Sequence, residues 1–288
     1  MMKSKADALV EALPYFQKFR GQTVVIKYGG AAMEDPALVR GVLLDVVFLE
    51  AVGINPVIVH GGGKAITAAM QKENLTARFV DGLRVTDAAS ISIIDRVLTE
   101  VISPSLAREI GKLGGRAENI SGKDVLVATK AAPHVDATGE KVDLGFVGDI
   151  VSVDLGAVRK LIEAEIVPVI SPLGRGLDGQ VYNINADIAA ARIAQELRAA
   201  KIIYLSDVNG VRRDPKDAAS LISSLNPAQI AQLKREGVIA GGMLPKVDSA
   251  LESLAGGVDK VHFLDGRNEH ALLLELFTDA GIGTEIAA

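Results

Sequence analysis

Two glycine clusters constrain this chain more than any other feature. Thr23-Val24-Val25-Ile26-Lys27-Tyr28 runs into Gly29-Gly30, and Pro56-Val57-Ile58-Val59-His60 runs into Gly61-Gly62-Gly63. Both runs are short, rich in β-branched residues and closed by glycine, so each reads as a strand ending in a tight turn. Between them Pro36 opens a segment with Leu38, Val42, Val46 and Leu49 at helical spacing, and Gly53 closes it. A further helix starts at Lys64. Strand, helix, strand, helix in such quick succession commits the chain to a parallel sheet with helices on both faces.

The rest of the sequence continues that rhythm. Residues 88–113 read as one long helix, with Pro104 placed to kink it. In residues 117–153 the pattern changes to short strands broken by Gly122-Lys123-Asp124, Gly139-Glu140 and Gly148-Asp149, expected to be β-hairpins inserted at one edge. Alternation then resumes: helix 154–165, strand 167–170, helix 187–198, strand 201–205, helix 226–236, strand 260–264 and helix 269–277. The expected fold is α/β, a three-layer αβα sandwich around a mainly parallel sheet. Its 288 residues suit two lobes dividing near residue 180, preceded by an extra helix in residues 1–20.

Composition removes several classes of function. The 31 Lys and Arg against 36 Asp and Glu leave a net charge of −5, which lacks the positive footprint of a general nucleic-acid binder. With no cysteine there is no disulfide scaffold, Cys-zinc site or thiol nucleophile. The four histidines are scattered, never at metal-ligand spacing, so no side-chain metal site is expected. No apolar run approaches the ~18 residues of a membrane span, and the first residues, with Asp7 and Glu11, lack the core of a signal peptide. A soluble cytoplasmic protein is expected.

Generic motifs give little. Gly63-Lys64, Gly111-Lys112 and Gly122-Lys123 are not followed by the Ser or Thr of a phosphate loop, and no serine sits in a G-x-S-x-G elbow. Gly174-Arg175-Gly176-Leu177-Asp178-Gly179 precedes an extended stretch rather than a helix, so it reads as a hairpin turn. The two early glycine clusters either only permit tight turns or bring backbone N–H groups and helix N-termini up to an anion at the carboxyl edge of the sheet. Lys27, inside an apolar strand, either snorkels from its end or aims a cation into that cleft. Lys246, in Gly241-Gly242-Met243-Leu244-Pro245-Lys246, is either a solvated lysine at a helix start or a second such cation. Asp187, in Asn183-Ile184-Asn185-Ala186-Asp187, taken alone reads as a helix N-cap.

In combination these segments resemble a known family. Ile26-Lys27-Tyr28-Gly29-Gly30, Val59-His60-Gly61-Gly62-Gly63, Gly82-Leu83-Arg84-Val85-Thr86, the Asn183 to Asp187 segment, Leu205-Ser206-Asp207-Val208-Asn209-Gly210-Val211 and Gly242-Met243-Leu244-Pro245-Lys246 occur in that order. The set is similar to the acetylglutamate kinase branch of the amino-acid kinase family, over nearly the whole chain. The resemblance implies ATP-dependent phosphorylation of the side-chain carboxylate of N-acetyl-L-glutamate for arginine synthesis. It implies that Lys27 and Lys246 contact the transferring phosphoryl group and that Asp187 orients both. Gly62, Gly63, Arg84 and Asn183 would hold the acetylglutamate, and Gly29 and Gly30 would lie by the phosphates. Asp207, Asn209, Gly210, Val211, Gly242 and Met243 would line the nucleotide site, with Mg2+ held mainly by the ATP phosphates. Such an acceptor, with a pKa of about 4.3, is already ionised and needs no general base. The family includes carbamate kinase, whose substrate would give Arg84 and Asn183 no α-carboxylate to hold. A catalytically dead arginine sensor or scaffold would have no reason to assemble Lys27, Asp187 and Lys246.

Residues 1–20 are not needed to build a sheet. Ser4 with Asp7 suggests a helix start, Leu9, Leu13 and Phe16 share a face, and Tyr15, Phe16 and Phe19 crowd into five residues. Such a segment either docks on a partner or folds back on its own domain. By resemblance it is the helix that, in arginine-inhibited members, interlaces dimers into a homo-hexamer, a trimer of dimers. Tyr15, His270, Glu275 and Gly281 then become the candidates for binding L-arginine. By the same resemblance residues 21–180 would bind acetylglutamate and dimerise, and residues 181–288 would bind ATP and arginine. Some members also bind a nitrogen-signalling regulatory protein, a partner on which these residues are silent.

Overall fold

The computed structural model describes residues 5–136, 138–214, 216–241, 243–278 and 281–288. Helix α1 (Lys5–Phe19) precedes β1 (Thr23–Tyr28), α2 (Pro36–Ala51), β2 (Asn55–His60) and α3 (Gly63–Lys72). A hairpin of β3 (Arg78–Val80) and β4 (Leu83–Val85) follows, turning through Asp81 and Gly82 at positive φ. Then come α4 (Ala88–Arg96), a π-helical turn (Val97–Ile102), α5 (Ser103–Lys112), β5 (Ala117–Ile120), β6 (Leu126–Lys130), β7 (His134–Val135), β8 (Lys141–Val142), β9 (Gly148–Val153) and α6 (Gly156–Glu163). The chain continues through β10 (Val167–Ile170), β11 (Leu173–Gly176), β12 (Val181–Asn183), α7 (Ala186–Leu197), β13 (Lys201–Ser206), β14 (Ser224–Leu225), α8 (Pro227–Arg235) and α9 (Met243–Ala255). It finishes with β15 (Lys260–Asp265), α10 (Ala271–Phe277) and β16 (Thr284–Ala287).

Eight strands form the central sheet in the order β14-β16-β15-β13-β1-β2-β10-β5, parallel throughout except where β15 meets β16. Successive strand residues face opposite sides. Val24, Ile26 and Tyr28 of β1 therefore pack with α2, α5 and α10, while Val25 packs with α6, α7, α8 and α9. Those two apolar layers enclosing one sheet make the expected αβα sandwich. One continuous sheet spans residue 180: its strands before that point (β1, β2, β10, β5) and after it (β13 to β16) meet where β1 pairs in parallel register with β13.

Two expectations change in detail. Residues 117–153 are not simply hairpins at one edge. β5 is the parallel edge strand of the main sheet, while β6 and β9 join β11 and β12 in a second, four-stranded sheet, and only β7 and β8 form a small separate hairpin. The long helix is continuous from α4 to α5, and it yields before Pro104 by widening into the π turn. Proline has no N–H to give and its ring crowds the carbonyl four residues back; an i→i+5 turn relieves both.

Candidate active site

Strand alternation places Lys27 on the same face of β1 as Val25, against α7. The cap of α7 is Asn185, whose side chain accepts the N–H groups of Asp187 and Ile188, rather than Asp187 as the sequence suggested. Because Asn185 takes the cap, the Asp187 carboxylate is free to pair with Lys27, Nζ to Oδ1 2.8 Å, both side chains largely shielded from water. The lysine amine lies directly over Gly29, where a Cβ would come within 3.1 Å of Nζ. Beside it, Gly61 donates its N–H to the Tyr28 carbonyl at 2.7 Å, so the two glycine clusters sit side by side at the carboxyl edge of adjacent strands.

Gly62 caps α3 and is packed so tightly that a Cβ would meet Leu98 and Ile102 at 2.7 and 2.8 Å. The first-turn N–H groups of Gly63, Lys64 and Ala65 have no intrahelical partner, and these residues line a cavity of about 820 Å³ together with Gly30, Arg84 and Asp207. Arg84 is buried. Its Nη2 donates to the Gly63 carbonyl at 2.9 Å and the Thr67 hydroxyl at 2.8 Å, and its guanidinium stacks 4.5 Å over the Phe79 ring. Burial lowers its pKa, and among the described residues it has no carboxylate in ion-pair range. Asn183, at the end of β12, does not line this cavity. It reaches Arg84 through Thr86, donating Nδ2–H to a hydroxyl that in turn donates to the Arg84 carbonyl.

A second cavity, of about 630 Å³, is lined by Asp207, Asn209, Gly210, Val211, Met243 and Lys246. Asp207 lines both, so the two cavities meet there. Gly210, at φ +110°, sits where a Cβ would strike Thr284, and Val211 donates its N–H to the Thr284 hydroxyl at 2.9 Å, so β16 fixes this wall. Gly242 lies outside the described residues. The expectation that Asp187 holds both lysines is met for Lys27 only: Lys246 Nζ instead reaches the Ser206 hydroxyl at 3.4 Å, at the end of β13. Among the described residues no three His, Asp or Glu side chains converge as metal ligands would.

Sequence reasoning passed over Ser206, Thr67 and Arg267. Arg267 forks onto Asp265, Nε to Oδ1 2.9 Å and Nη2 to Oδ2 2.7 Å, and donates to the Asp207 carbonyl at 3.0 Å. Burial alone would raise the pKa of Asp265, but Arg267 holds it below the usual carboxylate range. The available signal was Asp265-Gly266-Arg267 directly after an apolar strand, the same strand-to-glycine pattern as the first two clusters.

A third cavity, about 330 Å³, takes in Tyr15, Glu275 and Gly281 together with Lys18, Lys201 and His262. His262 donates Nδ1–H to Glu275 Oε1 at 2.6 Å and accepts from Lys201 Nζ at 3.0 Å, while Glu275 Oε2 accepts the Ile282 N–H. Burial pushes the Lys201 amine down to about 8. Burial would raise Glu275, yet the bonds from His262 and Ile282 bring it below its ordinary value. His270 does not belong here. It stands at φ +54° before α10 and is bonded through Nδ1 to Asp45 on α2 at 2.6 Å, which removes it from the cavity.

Residues 22–265 match the model of the Amino acid kinase family, and the chain belongs to that family. It is accordingly an enzyme, a kinase that transfers a phosphoryl group. Over 98% of its length it is 47% identical to the acetylglutamate kinase of Heliobacterium modesticaldum, covering 97% of that protein, and 45% identical to that of Akkermansia muciniphila, covering 95%. Among solved structures it resembles the N-acetylglutamate synthase of Neisseria gonorrhoeae complexed with coenzyme A and N-acetylglutamate. That match has TM-score 0.85 and 29% identity, over 99% of this chain and 64% of the synthase. The carbamate kinase of Giardia lamblia bound to AMP-PNP shares the fold at TM-score 0.67 and 16% identity, over 93% of this chain and 98% of that one.

Proposed function

We propose that this enzyme transfers the terminal phosphoryl group of MgATP to the side-chain carboxylate of N-acetyl-L-glutamate, forming N-acetyl-L-glutamyl 5-phosphate for arginine biosynthesis. The observation that carries the reading is Arg84, a buried guanidinium lining a cavity with no carboxylate among the described residues to neutralise it. A buried cation is tolerated when its partner is the ligand, and a planar fork suits an α-carboxylate. The full-length likeness to acetylglutamate kinases supports the same acceptor. The nucleotide is assigned to the second cavity, whose walls come from residues 207–267 and include Lys246, and which meets the acceptor cavity at Asp207.

The chemistry asks for charge compensation rather than proton removal. An ionised carboxylate must approach a polyanion, and the negative charge spreads over the equatorial phosphoryl oxygens in the transition state. Lys27, held in advance by Asp187, and Lys246 would offset it. The free N–H groups at the start of α3 and the backbone at Gly29 and Gly30 would add donors. Magnesium enters on the ATP phosphates as part of the substrate, since it keeps several waters and seldom takes an all-protein cage.

In this reading L-arginine is a feedback inhibitor bound in the cavity of Tyr15, Glu275 and Gly281, where Glu275 would meet its cationic end. Residues 21–180 bind acetylglutamate and dimerise, residues 181–288 bind ATP, and α1 joins dimers into a hexamer. The work of α1 is split along its length. Phe16 packs edge-on to Phe277 with centroids 4.9 Å apart and Phe19 is buried, so its end folds back on its own chain. Leu9, Val10 and Leu13 are 62%, 69% and 48% exposed, an apolar face suited to a second copy.

The test is ATP-dependent acyl-phosphate formation trapped with hydroxylamine, comparing N-acetylglutamate with glutamate, aspartate and carbamate, with and without arginine. Turnover of N-acetylglutamate alone, suppressed by arginine, is expected. Turnover of carbamate instead would overturn the acceptor assignment, and insensitivity to arginine would overturn the regulatory one.

A further inference from the structure

His60 ends β2 immediately before the Gly61-Gly62-Gly63 loop, and it is fully buried. Its ring spans two elements. Nδ1 lies 2.8 Å from the Gly61 carbonyl and Nε2 lies 2.6 Å from the hydroxyl of Ser103, the first residue of α5. A carbonyl can only accept, so Nδ1 carries the ring proton and Nε2 is left to accept from Ser103. The Leu98 carbonyl, 2.9 Å from the same hydroxyl, is served by the Ser103 N–H across the π turn. Gly62 meanwhile rests on Leu98 and Ile102 with no room for a Cβ. Loop and π turn are thus pressed together at Gly62 and tied together at His60, and both line the acceptor cavity, through Gly62 and Gly63 on one side and Val101 and Ile102 on the other.

We infer that His60 is a positioning residue for the acceptor: by bridging the Gly61 carbonyl to Ser103 it fixes the glycine loop against the π turn and so sets where the free N–H groups of α3 meet the substrate. The bridge requires a neutral ring, and burial pushes the His60 imidazole down to about 4, so the proton arrangement holds at any working pH. π turns recur at functional sites because they displace a helix face locally; here the displaced face is the one that receives Gly62. This inference rests on the acetylglutamate reading for its kinetic arm only.

The experiment compares wild-type enzyme with Ser103→Ala, His60→Gln and the double variant His60→Gln/Ser103→Ala. Ser103→Ala deletes one hydroxyl and is the variant expected to fold without difficulty; Gln keeps an amide near the Nε2 position and forfeits the bond to Gly61. Each single change should raise the KM for N-acetylglutamate roughly tenfold and leave the KM for ATP within about twofold. The double variant should be no worse than the poorer single one, because both break the same bridge. Both KM values unchanged, both rising together, or independent additive losses would overturn the inference. Hydrogen exchange supplies an arm free of the substrate assignment. The amides of Gly61 and Ile66, bonded to the Tyr28 and Gly62 carbonyls, should lose protection in Ser103→Ala while those of β1 and β13 do not, and uniform loss or no loss would overturn the tie. Were wild-type enzyme to ignore N-acetylglutamate, the functional reading would fail while this arm still decided the tie.

Discussion

Arg84 and Lys246 carry charge of the same sign into the site but are held differently, and the difference predicts different kinetics. The Arg84 guanidinium is fixed by Gly63 and Thr67 and stacked on Phe79 before any ligand arrives. Arg84→Lys removes the fork and the stack together, so the KM for N-acetylglutamate should rise about tenfold or more while kcat falls little; an unchanged KM would refute its substrate role. Among the described residues Lys246 has one weak hydroxyl contact, which suits a group whose partner is charge that forms during the reaction. Lys246→Ala should lower kcat on the order of 100-fold or more with a smaller effect on the KM for N-acetylglutamate, and an unchanged kcat with a raised KM would reverse the assignment. Sequence alone left open whether Lys27 snorkels or faces the cleft, and it reached Arg84 only through the family resemblance. It misjudged Asp187, since Asn185 and Asp187 are both good caps and only the fold decides which one α7 uses. Arg267 and Ser206 escaped notice because their partners lie some sixty and forty residues away in sequence.

Among the elements, α10 is anchored by a pair that reading by motif assigned elsewhere. Asp45 on α2 is fully buried and bonded to His270, and its Oδ2 has no hydrogen-bond partner among the described residues. Burial raises Asp45, and the bond from Asp45 raises His270 above its ordinary value. Removing the imidazole would strand a buried carboxylate, so His270→Ala should destabilise the fold by on the order of 2 kcal/mol near pH 6. The sign in pH follows from the raised imidazole. Its contribution is fully present below the unfolded value of about 6.5 and is lost as pH rises through the higher folded value. The gap between wild type and variant in urea unfolding should therefore shrink from pH 6 toward pH 9, and a constant gap would mean the pair is not ionic. Long periodic elements were legible because their patterns repeat several times within one segment. β14 and β16 were not, being two and four residues long and defined by partners far off in the chain. The π turn was equally hidden, since Pro104 announces a disturbance without saying what form it takes.

For the whole molecule, the proposed assembly turns on the exposed end of α1. Deleting residues 1–20 would also uncover Phe48 and Phe277, confusing assembly with stability. Leu9→Glu/Leu13→Glu changes only the outward face. Light scattering should then show a particle smaller than wild type, with turnover near wild type and weaker arginine inhibition; a hexamer of undiminished size would remove α1 from the assembly. The sheet offers a second consequence at this scale. β13 begins at Lys201, in the wall of the Glu275 cavity, and ends at Ser206, under Lys246, a span of six residues or ~17 Å. An extended backbone hardly shortens, and this one is laddered on one flank to the strand bearing Lys27 and on the other to the strand bearing Asp265. A push at Lys201 therefore cannot be absorbed along the way or spent on one strand. In the proposed reading it would arrive at Lys27 and Lys246 as a concerted displacement, and the strand would serve as a push-rod between two cavities that share no side chain.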